Sequence, residues 1–132
     1  MYKILVVDDE PRIVKVLHDF LVKMGFEAAT AAGGEKAIEI LSSGIKPDLI
    51  ILDMKMPKVT GPEVLKHMQG INCKVPTIIL TGSIDAEKYF EDLKELDFRA
   101  ENIVYKPVDL FTLLEAVKKK LKISQAGQEA GK

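Results

Sequence analysis

At 132 residues the chain is shorter than the roughly 150 that one ordinary domain occupies, so a single domain with at most a short tail is expected and two packed domains are not. Hydrophobic residues make up 47% and charged residues 30%, enough for a packed core under a polar surface, which argues against global disorder. A formal net charge of -1 removes the basic footprint of a dedicated nucleic-acid or anionic-membrane binder.

The first predicted element is the apolar run Ile4 to Val7, continuous rather than alternating, as in a strand buried on both faces of a parallel sheet. Pro11 suits a first helical turn, and Ile13, Val14, Val16, Leu17, Phe20, Leu21 and Met24 form a helical stripe that should stop at Gly25. A weaker strand run, Phe26 to Ala31, precedes a helix over Glu35 to Ser42, stopped at Gly44. Leu49 to Leu52 reads as a third strand, Pro62 to Gln69 as a helix ending at Gly70, and Thr77 to Leu80 as a fourth strand. A helix over Asp85 to Leu96, a strand at Ile103 to Tyr105 and a helix carrying the stripe Leu110, Leu113, Leu114, Val117 and Leu121 complete the chain. Asp109 is placed to cap that last helix, and Lys118 to Lys120 with Lys122 complement the negative end of its dipole. Five strands alternate with five helices, so the helices should cover both faces of one parallel sheet. The domain is expected to span 1–123, with 124–132, which lacks large apolar residues, as a flexible tail or the start of a linker.

Cys73 stands alone, so no internal disulfide and no Cys/His metal cluster is expected, and a reducing compartment, the cytoplasm, fits. The apolar runs fall far short of the ~20 residues of a membrane span, and the N-terminus lacks an export signal. His18 and His67 fall in helical stretches with no partnering carboxylate motif, and both read as ordinary surface or boundary residues.

Four of the five strand runs end in residues suited to chemistry: Asp8-Asp9, Asp53, Thr81 and Lys106. In a parallel sheet these ends lie along one edge, where open α/β sheets bind ligands. Taken singly, Asp9 before Glu10-Pro11 could be a helix cap; that reading does not cover all five residues together. Three carboxylates in one pocket raise each other's pKa and call for a cation. All-oxygen ligation without His or Cys selects a hard ion, and room left for water and phosphate favours Mg²⁺. Carboxylate, cation, ammonium and hydroxyl together suit phosphoryl transfer, with Asp53 as the oxygen nucleophile.

These residues resemble the receiver domain of two-component response regulators. The matching text is Ile4 to Glu10, Asp48 to Pro57 with Gly61, Ile79 to Gly82, and Tyr105-Lys106-Pro107, and it covers about residues 3 to 122. The resemblance implies a flavodoxin-like, doubly wound α/β fold with a five-stranded parallel sheet in the order 2-1-3-4-5 and five flanking helices. It further implies that Asp53 is the phosphoacceptor, drawing on the phosphohistidine of a sensor histidine kinase or histidine phosphotransfer protein. Mg²⁺ would be held by Asp9 and Asp53 directly, by Asp8 largely through water, and by the backbone carbonyl of Lys55. Thr81 and Lys106 would hold the phosphoryl oxygens, Lys106-Pro107 would be a cis bond, and a downstream protein or output domain would read the altered surface.

Two departures from the family pattern stand out. An aromatic residue is frequent three positions before the lysine, and here that position is Ile103, with Tyr105 immediately before Lys106 instead. The stretch from Thr81 to Lys106 is also a few residues longer than usual, so the conformational signal is expected to run through Tyr105 and residues 82 to 100 rather than through Ile103. Two other readings of the sequence are weaker. A haloacid-dehalogenase-type phosphatase would need an Asp-x-Asp nucleophile after its first strand and a cap for its substrate. A flavin carrier would need hydroxyl-rich phosphate contacts where Asp8-Asp9 stand.

Overall fold

A computed structural model describes residues 1–82, 87–96, 98 and 102–123 of the chain. Its elements alternate: β1 (Lys3–Val7), α1 (Pro11–Lys23), β2 (Glu27–Ala31), α2 (Gly34–Ser42), β3 (Leu49–Asp53), α3 (Gly61–Gly70), β4 (Thr77–Thr81), α4 (Phe90–Glu95), β5 (Ile103–Tyr105) and α5 (Leu110–Leu121). The strands form one parallel sheet in the order β2-β1-β3-β4-β5, the expected doubly wound arrangement.

The continuous apolar runs explain why β1, β3 and β4 lie inside the sheet. Side chains alternate between faces, and both faces are covered. Leu5, Val7, Ile50, Leu52 and Ile79 pack with Ala37 and Leu41 of α2, Val64, Leu65 and Met68 of α3 and Leu93 of α4. Ile4, Val6, Leu49, Ile51, Ile78, Leu80 and Val104 pack on the other side with Leu17 and Leu21 of α1 and Leu113 and Val117 of α5. Each such fully buried aliphatic side chain contributes about 1.5–3 kcal/mol relative to exposure.

Helix ends follow local chemistry, with three differences from the sequence reading. Asp109 caps α5 as expected, its Oδ1 accepting from the amides of Phe111 at 2.9 Å and Thr112 at 3.2 Å. Gly25 and Gly44 take left-handed backbone past α1 and α2, each at φ 95°. Gly70, by contrast, is the last residue of α3, and the left-handed turn falls at Asn72, φ 57°; asparagine tolerates this conformation better than most side chains. The helix expected from Asp85 to Leu96 is in place over Phe90–Glu95, preceded by a turn at Tyr89; residues 85 and 86 lie outside the described residues. Asp9 is not a helix cap: α1 has no side-chain cap at all, and Asp8 Oδ1 is the acceptor for the Glu10 amide, at 3.0 Å. At α3, Thr60 and Glu63 form a reciprocal capping box, with the Thr60 amide donating to Glu63 Oε1 at 2.8 Å and the Glu63 amide to Thr60 Oγ1 at 3.4 Å.

Candidate functional site

Parallel pairing brings the C-terminal ends of β1, β3, β4 and β5 to one edge. Asp8 follows β1 and is fully buried; Asp53 closes β3 and is 3% exposed; Thr81 closes β4 and is 1% exposed. Backbone hydrogen bonds fix these ends against each other. The Met54 amide donates to Leu80 O at 3.1 Å, the Lys106 amide to Thr81 O at 2.9 Å, and the Gly61 amide to Met54 O at 2.9 Å. The last of these folds the β3–α3 loop back beneath Asp53.

Oxygens of Asp8, Asp9 and Asp53 lie within 4.8 Å of one another. Lys106 Nζ bridges two of them, 3.1 Å from Asp53 Oδ1 and 3.3 Å from Asp8 Oδ2. Glu10 Oε1 stands 4.0 Å from the same ammonium. Glu10 had no assigned role in the sequence reading, although its position directly after Asp8-Asp9 was the available signal. Thr81 Oγ1 donates to Gly82 O at 3.2 Å. Lys106–Pro107 is a cis peptide bond.

Burial pushes the Asp53 carboxyl up to about 6, and the neighbouring Asp8 charge adds to the rise, against the Lys106 ammonium and a backbone hydrogen bond from Lys55. Burial alone would lower Lys106, but the charges of Asp53 and Asp8 outweigh it and hold the ammonium above its ordinary range. One cation thus faces three carboxylates. The donor set is all oxygen, and its atoms lie near enough to one another to share one ion, so these residues fit a small hard divalent cation.

The raised pKa has a stability consequence. An Asp53 near 6 in the fold and 3.8 unfolded is charged against its preference in the native state, so the penalty grows as pH rises between these values and is complete above them. In metal-free buffer, Asp53→Asn should therefore melt several degrees above the wild type at pH 8, and the gap should close below pH 4. Thermal denaturation across pH with a chelator present measures this; a variant that melts below the wild type at pH 8 would contradict the charge account.

Other residues are placed more simply. Ile103 is half-buried against the cluster of α2, α3 and α4, while Tyr105 is half-exposed and directly across from Thr81 in the β4–β5 register. Of the segment 82 to 100, residues 83–86, 97, 99 and 100 lie outside the described residues. His18 lies on the exposed face of α1, as expected of a surface residue, with Nδ1 3.0 Å from Oδ1 of its own sequence neighbour Asp19. His67 Nε2 meets Ser42 Oγ at 2.9 Å and joins α3 to α2. Cys73 is half-buried and unbridged. Among the described residues, no helix is long and apolar enough to cross a membrane.

The sequence profile of the response regulator receiver domain matches residues 4–118, and the chain belongs to this family, the receiver domains of two-component response regulators. It is 37% identical over 121 residues to sporulation initiation phosphotransferase F of Bacillus subtilis, covering 90% of this chain and 93% of that protein. It is also 37% identical over 105 residues to the alkaline phosphatase synthesis transcriptional regulatory protein PhoP of the same organism, but spans only 42% of that relative's length. In three dimensions it is similar to a response regulator receiver domain protein from Clostridium thermocellum, with a TM-score of 0.80 at 32% identity over 92% of this chain and 95% of that one. The receiver domain of the Francisella response regulator 1452 superposes with a TM-score of 0.80 at 26% identity, covering 92% of this chain and 98% of that one.

Proposed function

We propose that Asp53 accepts a phosphoryl group from the phosphohistidine of a sensor histidine kinase or histidine phosphotransfer protein, in a Mg²⁺-dependent reaction that changes the surface offered to a downstream protein or output domain. The observation that carries this reading is the single ammonium of Lys106, 3.1 Å from Asp53 Oδ1 and 3.3 Å from Asp8 Oδ2, at a strand edge where three carboxylates meet. An Asp53 oxygen attacks phosphorus, a P–O bond forms as the P–N bond of the donor breaks, and the electron pair returns to the imidazole nitrogen, which takes up a proton. Mg²⁺ bound by Asp8, Asp9, Asp53 and the Lys55 carbonyl would neutralise the carboxylates and draw charge from the phosphoryl oxygens. Lys106 would hold one of those oxygens, and Thr81, buried at the end of the neighbouring strand, would turn its hydroxyl from Gly82 O to another. The signal then passes to Tyr105, on the same sheet face as Thr81, and into residues 82 to 100, because Ile103 is small and restricted at χ1.

On this reading residues 1–123 form a cytoplasmic signalling phosphoacceptor domain that itself contacts neither nucleic acid nor membrane, and 124–132 are a tail or linker. Incubation with acetyl phosphate and Mg²⁺ should add one phosphoryl group by intact mass. Asp53→Asn, or chelation of the metal, should reduce labelling by at least about a hundredfold. Equal labelling of Asp53→Asn would move the acceptor elsewhere.

A further inference from the structure

The loop after the phosphoacceptor contains a three-residue turn, closed by the Val59 amide donating to Pro57 O at 2.7 Å, with Lys58 between them at φ 67°. A turn of this hand at a residue with a side chain is rare and strained. Gly33 and Gly34, at the start of α2, lie against this turn: a Cβ at Gly34 would stand 2.5 Å from Val59 O. A groove here holds about 530 Å³ and is lined by Asp9, Glu35, Lys36, Glu39, Pro57 and Lys58 among others. Asp9 is the residue that this groove shares with the acidic site.

Charge decides what this groove admits. Asp9, Glu35 and Glu39 on its walls repel any anion on its way to Asp53. Lys36 is already engaged by Glu39, Nζ to Oε1 3.2 Å. Lys58 is therefore the one lining cation that, among the described residues, has no ion pair. A second hollow, of about 330 Å³, flanks Asp8 and Asp9 on the α1 side. Its two basic side chains are both held by Asp19, Lys15 at 2.9 Å and His18 at 3.0 Å.

We propose that the groove beside Asp9 is the approach path of the phosphodonor, and that Lys58, presented by the strained turn, determines how readily the site receives the donor's phosphoryl oxygens. This rests on Asp53 being the phosphoacceptor. The ligand chemistry is a dianionic phosphoryl group, carried either by a small acyl phosphate or by a phosphorylated imidazole. In both cases the Lys58 ammonium offsets the carboxylates on the groove walls during approach, and its influence falls as salt screens it over a Debye length of ~8 Å near 0.15 M.

The test follows phosphorylation of the full chain in saturating Mg²⁺, with acetyl phosphate in one arm and monophosphoimidazole in the other, at low and high salt. Lys58→Gly should lower the second-order labelling rate about twofold and Lys58→Glu about fivefold at low salt, converging on the wild type at about 0.5 M salt. Lys58→Arg should retain the wild-type rate. Lys58→Gly should melt at or above the wild-type temperature, which separates lost charge from lost structure. An effect in both arms supports recognition of the phosphoryl oxygens; an effect in one arm alone supports the groove as the path of that donor. Unchanged rates in Lys58→Glu, or an equal loss in the matched reversal Lys15→Glu, overturn the groove while leaving Asp53 in place. Absence of any label on the wild type overturns the reading of Asp53 and the groove with it.

Discussion

Gly61→Ala should lower the melting temperature by about 10 °C and slow phosphorylation together. A Cβ at this position would lie 2.7 Å from both the Asp53 carbonyl oxygen and Met54 Cα, and neither backbone atom can step aside without moving the end of β3. Met54 is itself fully buried and Asp53 nearly so, so the strain has no outlet toward solvent. Overpacking of this kind costs about 3 kcal/mol when the neighbour is backbone, which in a domain of this size gives the shift stated. The functional loss has the same origin. The Gly61 amide donates to Met54 O at 2.9 Å, and displacing that contact displaces Asp53 from Lys106. Thermal melts and acetyl phosphate labelling measure the two effects; an alanine variant within 2 °C of wild type and fully labelled would show that the loop yields freely.

Lys106→Ala should be the second large effect, and its sign depends on the metal. Without a divalent cation, the variant leaves the buried Asp8 and Asp53 facing each other uncompensated, at a cost of about 3 kcal/mol near pH 8. The loss should be smaller at pH 5, because Asp53, already raised to about 6 by burial and by Asp8, rises further without the ammonium and takes up a proton. With Mg²⁺ the order changes. Removing a positive charge from an acidic pocket favours the second cation, so affinity for Mg²⁺ should rise about tenfold, and saturating metal should restore most of the lost stability. Phosphorylated Lys106→Ala should nevertheless leave partner binding unaltered. Titration calorimetry with Mg²⁺, together with melts at both pH values, tests this; weaker metal binding by the variant would mean that Lys106 organises the carboxylates rather than competing for them.

Much of the fold was legible because a parallel sheet leaves a strong mark: Leu49 to Leu52 and Thr77 to Leu80 are apolar without alternation since both faces are covered. The site was legible for a related reason, as polar residues at the ends of such runs must share an edge. What the sequence hid was decided by local backbone geometry. Helix stops are expected at glycines, and Gly25 and Gly44 do take left-handed backbone, whereas after α3, after α5 and in the β3–α3 loop that conformation falls on Asn72, Lys122 and Lys58. The capping box of Thr60 and Glu63 carried a readable spacing that went unused. The His18–Asp19 contact had no motif to announce it, because adjacent residues on a helix usually diverge and only the chosen rotamers bring these two together.

The sheet divides the site's charges between unequal supports. The carboxylates ride on β1 and β3, each clasped by a strand on both sides, whereas the ammonium rides on β5, three residues at the rim, registered to β4 alone over Ile79↔Ile103, Leu80↔Val104 and Thr81↔Tyr105. Local opening free energies fall toward such rims. Breathing of β5 therefore withdraws the cation while the acids stay in place. Amide exchange at Val104 and Lys106 becomes a gauge of how often the pocket stands without its ammonium, and any bound group that grips Lys106 tightens the rim strand as a matter of thermodynamic linkage.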